Sequence, residues 1–141
     1  MHRALPPRWV RRALHAVYTG VVLFVSLWPR ECVDTYVAHG IQRQERGIHF
    51  LCFAGLAILS AFAYGDRRAA SRSRIALWLA CSVFGLVLEV LQGSVPGINR
   101  NCTAHDMFDN ALGALVGVVL VPVGRWPRRD EEGASGNERT G

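Results

Sequence analysis

The chain contains no lysine: all sixteen basic residues among its 141 are arginine. That reflects GC-rich coding more than chemistry. Charge of either kind is sparse, at 19% of residues, against 50% apolar. A soluble domain of this length carries more charge outside its core. Four cysteines are present, Cys32, Cys52, Cys81 and Cys102. None stands in a Cys-x-x-Cys or Cys/His zinc spacing, which argues against a structural zinc site. There is no internal repeat. The first apolar run ends in "SLWPRE", without a small-x-small cleavage site, so it reads as a retained helix rather than a signal peptide. The net charge of +5 does not imply nucleic acid, because the arginines gather at the ends of apolar runs, which is the pattern of a membrane protein.

Four apolar runs are there instead, at 13–28, 48–64, 75–92 and 107–124. Each has the length of a short transmembrane helix. A soluble four-helix bundle would show a polar stripe on each helix; the stretch 111–123 has none. The expectation is therefore an all-α integral membrane four-helix bundle. One four-span domain covers 1–127, and the charged, glycine-containing segment 128–141, "RRDEEGASGNERTG", is expected to be a disordered cytoplasmic tail. Twelve arginines fall on one side of this topology: Arg3, Arg8, Arg11 and Arg12, then Arg67, Arg68, Arg72 and Arg74, then Arg125, Arg128, Arg129 and Arg139. Four fall on the other, namely Arg30, Arg43, Arg46 and Arg100. The positive-inside rule then predicts both termini cytoplasmic, in the plasma membrane. Trp9, Trp78 and Trp126 would mark the inner interface and Trp28 the outer one.

On that topology the unusual polar residues collect at one depth. His49 opens the second span. Glu89 and Gln92 close the third. Asp106 and Asn110 open the fourth. All face the outer surface. Residues three and four apart share a helix face, so Gly85, Glu89 and Gln92 line up. So do Asp106, Asn110, Gly113 and Gly117. The last two form a Gly-x-x-x-Gly stripe, "GALVG", which lets another helix backbone approach closely. Ionisable groups within spans face the bundle interior or an aqueous cavity, because exposure to lipid is costly. These residues therefore read as the walls of a polar pocket. A role in tying helices together is the plainer alternative, and for Asp106 and Asp109 helix N-capping is another. His15, near the inner end of the first span, reads as a satisfied or interfacial histidine.

The pattern from about Arg46 to Leu120 resembles the VanZ-like family of small bacterial membrane proteins. "ERGIHF" supplies Glu45, Arg46, His49 and Phe50; "EVLQ" supplies Glu89 and Gln92. A Pro-Gly-Arg-type loop follows, with Asp106 six residues after Arg100 and Asn110 four after that. The usual Pro-Gly-Arg is here "PGINR", with two residues inserted, and Cys102, His105 and Asp109 fall outside the pattern. The resemblance implies a multi-pass cell-envelope protein, in a family whose namesake lowers susceptibility to the glycopeptide antibiotic teicoplanin.

Different classes of function fit these residues. A binding or accessory protein would use Arg46, His49, Glu89, Gln92, Arg100, Asp106 and Asn110 to hold a lipid head group, a lipid-linked cell-wall precursor or a glycopeptide. An enzyme acting on a phosphorylated envelope lipid would use Arg46 and Arg100 on the phosphate and His49 with the carboxylates for acid–base chemistry. The Lys/Arg, Ser-Gly-His and Arg/His blocks of membrane lipid phosphatases are missing, as is the paired-Glu and His-x-x-x-Asn signature of intramembrane CAAX-type proteases. A transporter is disfavoured by so few helices. No cofactor is expected. No metal is expected either: His49, Glu89, Asp106 and His105 are suitable ligand types but include no close ligand pair. Cys32 and Cys102 share the outer side, where an oxidising compartment permits pairing. Small-residue faces permit a homo-oligomer.

Overall fold

The computed structural model describes residues 6–28, 45–65, 70–96 and 104–122. Cys32, Arg100, Cys102, Trp126 and the 128–141 segment lie outside the described residues. Among the described residues the chain is all-helical, with four helices and no strand: α1 (Arg8–Ser26), α2 (Glu45–Tyr64), α3 (Ala70–Ser94) and α4 (Ala104–Leu120).

Local sequence sets these boundaries. Pro7 precedes the first turn of α1, and its carbonyl accepts the Arg11 amide at 3.2 Å. Leu27 and Trp28 still bond back to Leu23 and Val25; Pro29 follows in the sequence, and the residue before a proline is pushed out of helical geometry. Pro96 and Pro122 stand in the same way just beyond α3 and α4. Asp106 sits in the first turn of α4, where a carboxylate offsets the positive end of the helix dipole.

α2 is the central helix and packs against all three others. It runs antiparallel to α1, since Arg11 meets Phe62 and Tyr18 meets Cys52. It runs antiparallel to α3, since His49 meets Glu89 and Ser60 meets Cys81. It runs parallel to α4, with His49 beside Asn110 and Ala61 packed with Val121. The α2–α4 contact is the most extensive, and its cause is residue size. A Cβ on Gly113 would run into the Phe50 carbonyl oxygen, and one on Gly117 into the Ala54 carbonyl oxygen. The stripe "GALVG" is therefore consumed within the chain, by α2. Around it the core closes on Phe53, Leu56, Ala57, Cys81, Leu88, Ala114, Val118 and Val22.

Many large apolar side chains lie on the outside of the described helices. Val17 and Phe24 on α1, Leu79, Val83 and Val90 on α3, and Phe108 and Val119 on α4 are all exposed. Arg11, Ser60, Glu89, Gln92 and Asn110 are buried. A water-soluble domain usually buries its large apolar side chains and exposes its charged ones; here exposed apolar side chains surround buried polar ones. Among the described residues two helices, at Gly47–Tyr64 and Ala70–Ser94, are long and apolar enough to cross a membrane. The 25 residues of α3 extend about 38 Å at ~1.5 Å per residue, more than the ~30 Å hydrocarbon core of a bilayer.

Candidate functional site

The parallel run of α2 and α4, with α3 antiparallel, brings three segments to one end of the bundle. His49 lies in the second turn of α2. Glu89 and Gln92 lie in the last turns of α3. Asn110 lies in the second turn of α4, one turn after Asp106. His49 is 61 positions from Asn110 in sequence yet touches it, and it meets Glu89 as well. His49 Nδ1 is 3.2 Å from Asn110 Oδ1 and 3.7 Å from Glu89 Oε1. Glu89 and Asn110 are each 1% exposed and Gln92 3%, while the His49 side chain is 19% exposed. His49 is thus the open edge of an otherwise sealed cluster.

The floor is built by Gly85. A Cβ there would stand 3.0 Å from both Asn110 Cβ and Phe53 Cε1, so the missing side chain is what lets Asn110 reach α2. Gln92 closes one side. Its Nε2 donates to the Ser26 carbonyl at 2.6 Å, which satisfies one of the orphan carbonyls of the last turn of α1 and ties that helix end to the cluster. Gln92 therefore spends at least one of its donors on the fold. Asp106 is half-buried on the Asn110 face. Asp109 is half-buried too, and its Oδ2 is buried without a hydrogen bond among the described residues. His105 is exposed. Arg46 belongs to the first turn of α2, three residues before His49; its side chain, like the whole of Arg100, lies outside the described residues.

A second set of polar contacts lies at the opposite end, around His15, which reads from the sequence as satisfied or interfacial. The Arg11 guanidinium is buried and donates to the Phe62 carbonyl at 2.8 Å, capping the C-terminal turn of α2. His15 Nε2 meets Ser60 Oγ at 3.0 Å, and the Ser60 hydroxyl donates to the Leu56 carbonyl at 2.8 Å. With its proton committed to Leu56, Ser60 accepts from His15. The pair is a tie between helices, not a base-activated nucleophile. Tyr18 donates to the Cys52 carbonyl at 3.2 Å, over the space left by Gly55. Arg12 stacks on the Tyr64 ring. The signal for α1 was present as the i, i+4, i+7 spacing of Arg11, His15 and Tyr18. Trp78, expected at an interface, is half-buried and donates its indole N–H to the Ala111 carbonyl at 3.0 Å. Cys52 is half-buried and Cys81 buried, both as free thiols.

Among the described residues no group of three His, Cys, Asp or Glu side chains is placed to hold a metal ion. What the His49 cluster offers is a partly open imidazole backed by a buried carboxylate and a buried amide. Such a group can exchange hydrogen bonds or a proton with a ligand. Set against protein-family models, curated proteins and solved structures, the chain has no match.

Proposed function

We propose that this chain is a four-span integral membrane protein of the bacterial cell envelope, VanZ-like in its motif pattern. Its pocket at the outer face binds a lipid head group, a lipid-linked cell-wall precursor or a glycopeptide. The observation that carries this reading is Glu89, 1% exposed beside His49 in a bundle with many large apolar side chains on its outside. An interhelical hydrogen bond within a membrane is worth about 0.6 kcal/mol on average. That return is small for a buried ionisable group, which makes a ligand-directed role the better account.

The topology in this proposal has both termini cytoplasmic. In support, the described arginine side chains Arg8, Arg11, Arg12, Arg72 and Arg74 belong to the N-terminal turns of α1 and α3, at one end of the bundle. Glu89, Asp106 and Asp109 belong to the other. α1 and α4 complete the four spans in this reading, and a homo-oligomer would use a face other than the Gly113–Gly117 stripe. An effect on teicoplanin or other glycopeptide susceptibility rests on the family resemblance alone. A second reading, an enzyme acting on a phosphorylated envelope lipid, is favoured by one observation: the carboxylate at 3.7 Å from His49 Nδ1, which suits an imidazole that takes up and returns a proton.

Native mass spectrometry of the gently purified protein tests the proposal. A phospholipid or polyprenyl-phosphate species should accompany the wild type and be lost from folded Glu89→Gln and Asp106→Asn variants. Absence of bound lipid, with both variants indistinguishable from wild type, would refute it.

A further inference from the structure

The two contacts of His49 decide which of its nitrogens meets a ligand, an inference that rests on the pocket reading above. Nδ1 faces two oxygens, Asn110 Oδ1 at 3.2 Å and Glu89 Oε1 at 3.7 Å. The Asn110 amide oxygen cannot donate, and Glu89 Oε1 is a longer ion-pair contact that makes no hydrogen bond to Nδ1. Nδ1 must therefore carry the hydrogen. In a neutral imidazole the other nitrogen is then the acceptor. Among the described residues Nε2 of His49 has no hydrogen-bond partner, and the side chain keeps 19% exposure while its neighbours are sealed.

We propose that Asn110 is the positioning residue that fixes His49 as the Nδ1–H tautomer, with the Glu89 carboxyl group beside it, leaving the Nε2 lone pair to accept a hydrogen bond from a hydroxyl of a bound head group. The ligand group at this atom must donate, which a phosphate dianion cannot do. The hydroxyl is of the glycerol or sugar kind, and the pair of lipids below separates such a head group from one without it. Any phosphate it carries lies away from His49. The same arrangement serves either reading of the pocket, since an acceptor nitrogen backed by a carboxylate holds a hydroxyl in a binding protein and deprotonates it in an enzyme.

The tautomer is read directly by nitrogen-15 NMR of histidine-labelled full-length protein in detergent micelles, at a pH where the imidazole is neutral. His49→Gln identifies the signal. The wild type should show a protonated Nδ1 and an unprotonated Nε2. Asn110→Ala should populate the other tautomer, and Asn110→Asp, which restores an acceptor oxygen, should return the first. An Nε2–H tautomer in the wild type overturns the proposal. So does an unchanged tautomer in a folded Glu89→Gln, Asn110→Ala double variant. The ligand class is tested with two lipids of equal charge, phosphatidylglycerol and phosphatidylmethanol, which differ in the glycerol hydroxyls. Wild type should retain the first about fivefold better, the worth of one net hydrogen bond. His49→Ala should retain them equally. Equal retention by wild type overturns the hydroxyl assignment. Retention of neither lipid, with the tautomer as stated, would instead count against the lipid pocket itself.

Discussion

Gly113→Ala is expected to weaken the bundle, although the same change elsewhere strengthens a helix. Alanine is favoured over glycine in a helix interior by about 1 kcal/mol. Gly20 shows that case. A Cβ there meets nothing within 4 Å, so Gly20→Ala should be neutral or stabilising by up to about 1 kcal/mol. At Gly113 the added methyl would strike the Phe50 carbonyl oxygen and approach its C and Cα at 3.0 and 3.1 Å. All three are backbone atoms of α2, which cannot rotate away, so α2 and α4 must separate. Overpacking of this kind costs about 1–3 kcal/mol. Net of propensity, the two variants should differ by roughly 1–3 kcal/mol in opposite directions. Phe50 neighbours His49, so separation also lengthens the His49–Asn110 contact, and ligand retention should fall with stability. Denaturant-driven unfolding in detergent, followed by circular dichroism, measures the difference. A Gly113→Ala protein as stable as Gly20→Ala would refute the claim that the "GALVG" stripe is packed against α2.

Other substitutions separate core from site. Phe53→Ala removes a ring that is 1% exposed and lies over Gly85; unfolding should become easier by about 3–5 kcal/mol, and a loss under 1 kcal/mol would contradict the packing described. Ser60→Ala breaks the His15 tie at the opposite end. It should cost no more than about 1–2 kcal/mol and leave lipid retention at the wild-type level. A large loss of retention would show that both polar clusters belong to one path.

Much of the frame was legible in the sequence because apolar runs bounded by arginine and proline need no partner to be recognised. The grouping of His49, Glu89 and Asn110 was also accessible, since a four-helix topology fixes which helix ends are neighbours. The role of Gly85 was not, because its spacing from Glu89 gives a face but not the ring of Phe53 or the Cβ of Asn110 that fill its space. Gln92 looked like a pocket wall. Its bond to the Ser26 carbonyl depends on where α1 ends, which the apolar run placed two residues too late. The Arg11–Phe62 contact was not legible for a similar reason, whereas His15, which reads as satisfied or interfacial, meets Ser60. A cation next to an apolar run signals an interface, and its snorkelled side chain gives no sign that it has turned inward to a helix terminus.

The most direct test of the central claim, that Glu89 is kept for a ligand and not for the fold, is the unfolding free energy of Glu89→Met. Replacing a whole buried ion pair with apolar groups is often neutral or stabilising by about 1–4 kcal/mol, whereas removing one partner of a pair the fold relies on costs about 3–5 kcal/mol; Glu89→Met separates a carboxylate the fold relies on from one it does not. The account predicts a protein at least as stable as wild type that no longer retains lipid. A variant destabilised by about 3–5 kcal/mol, the cost of breaking a needed buried pair, that still retains lipid while folded would contradict it.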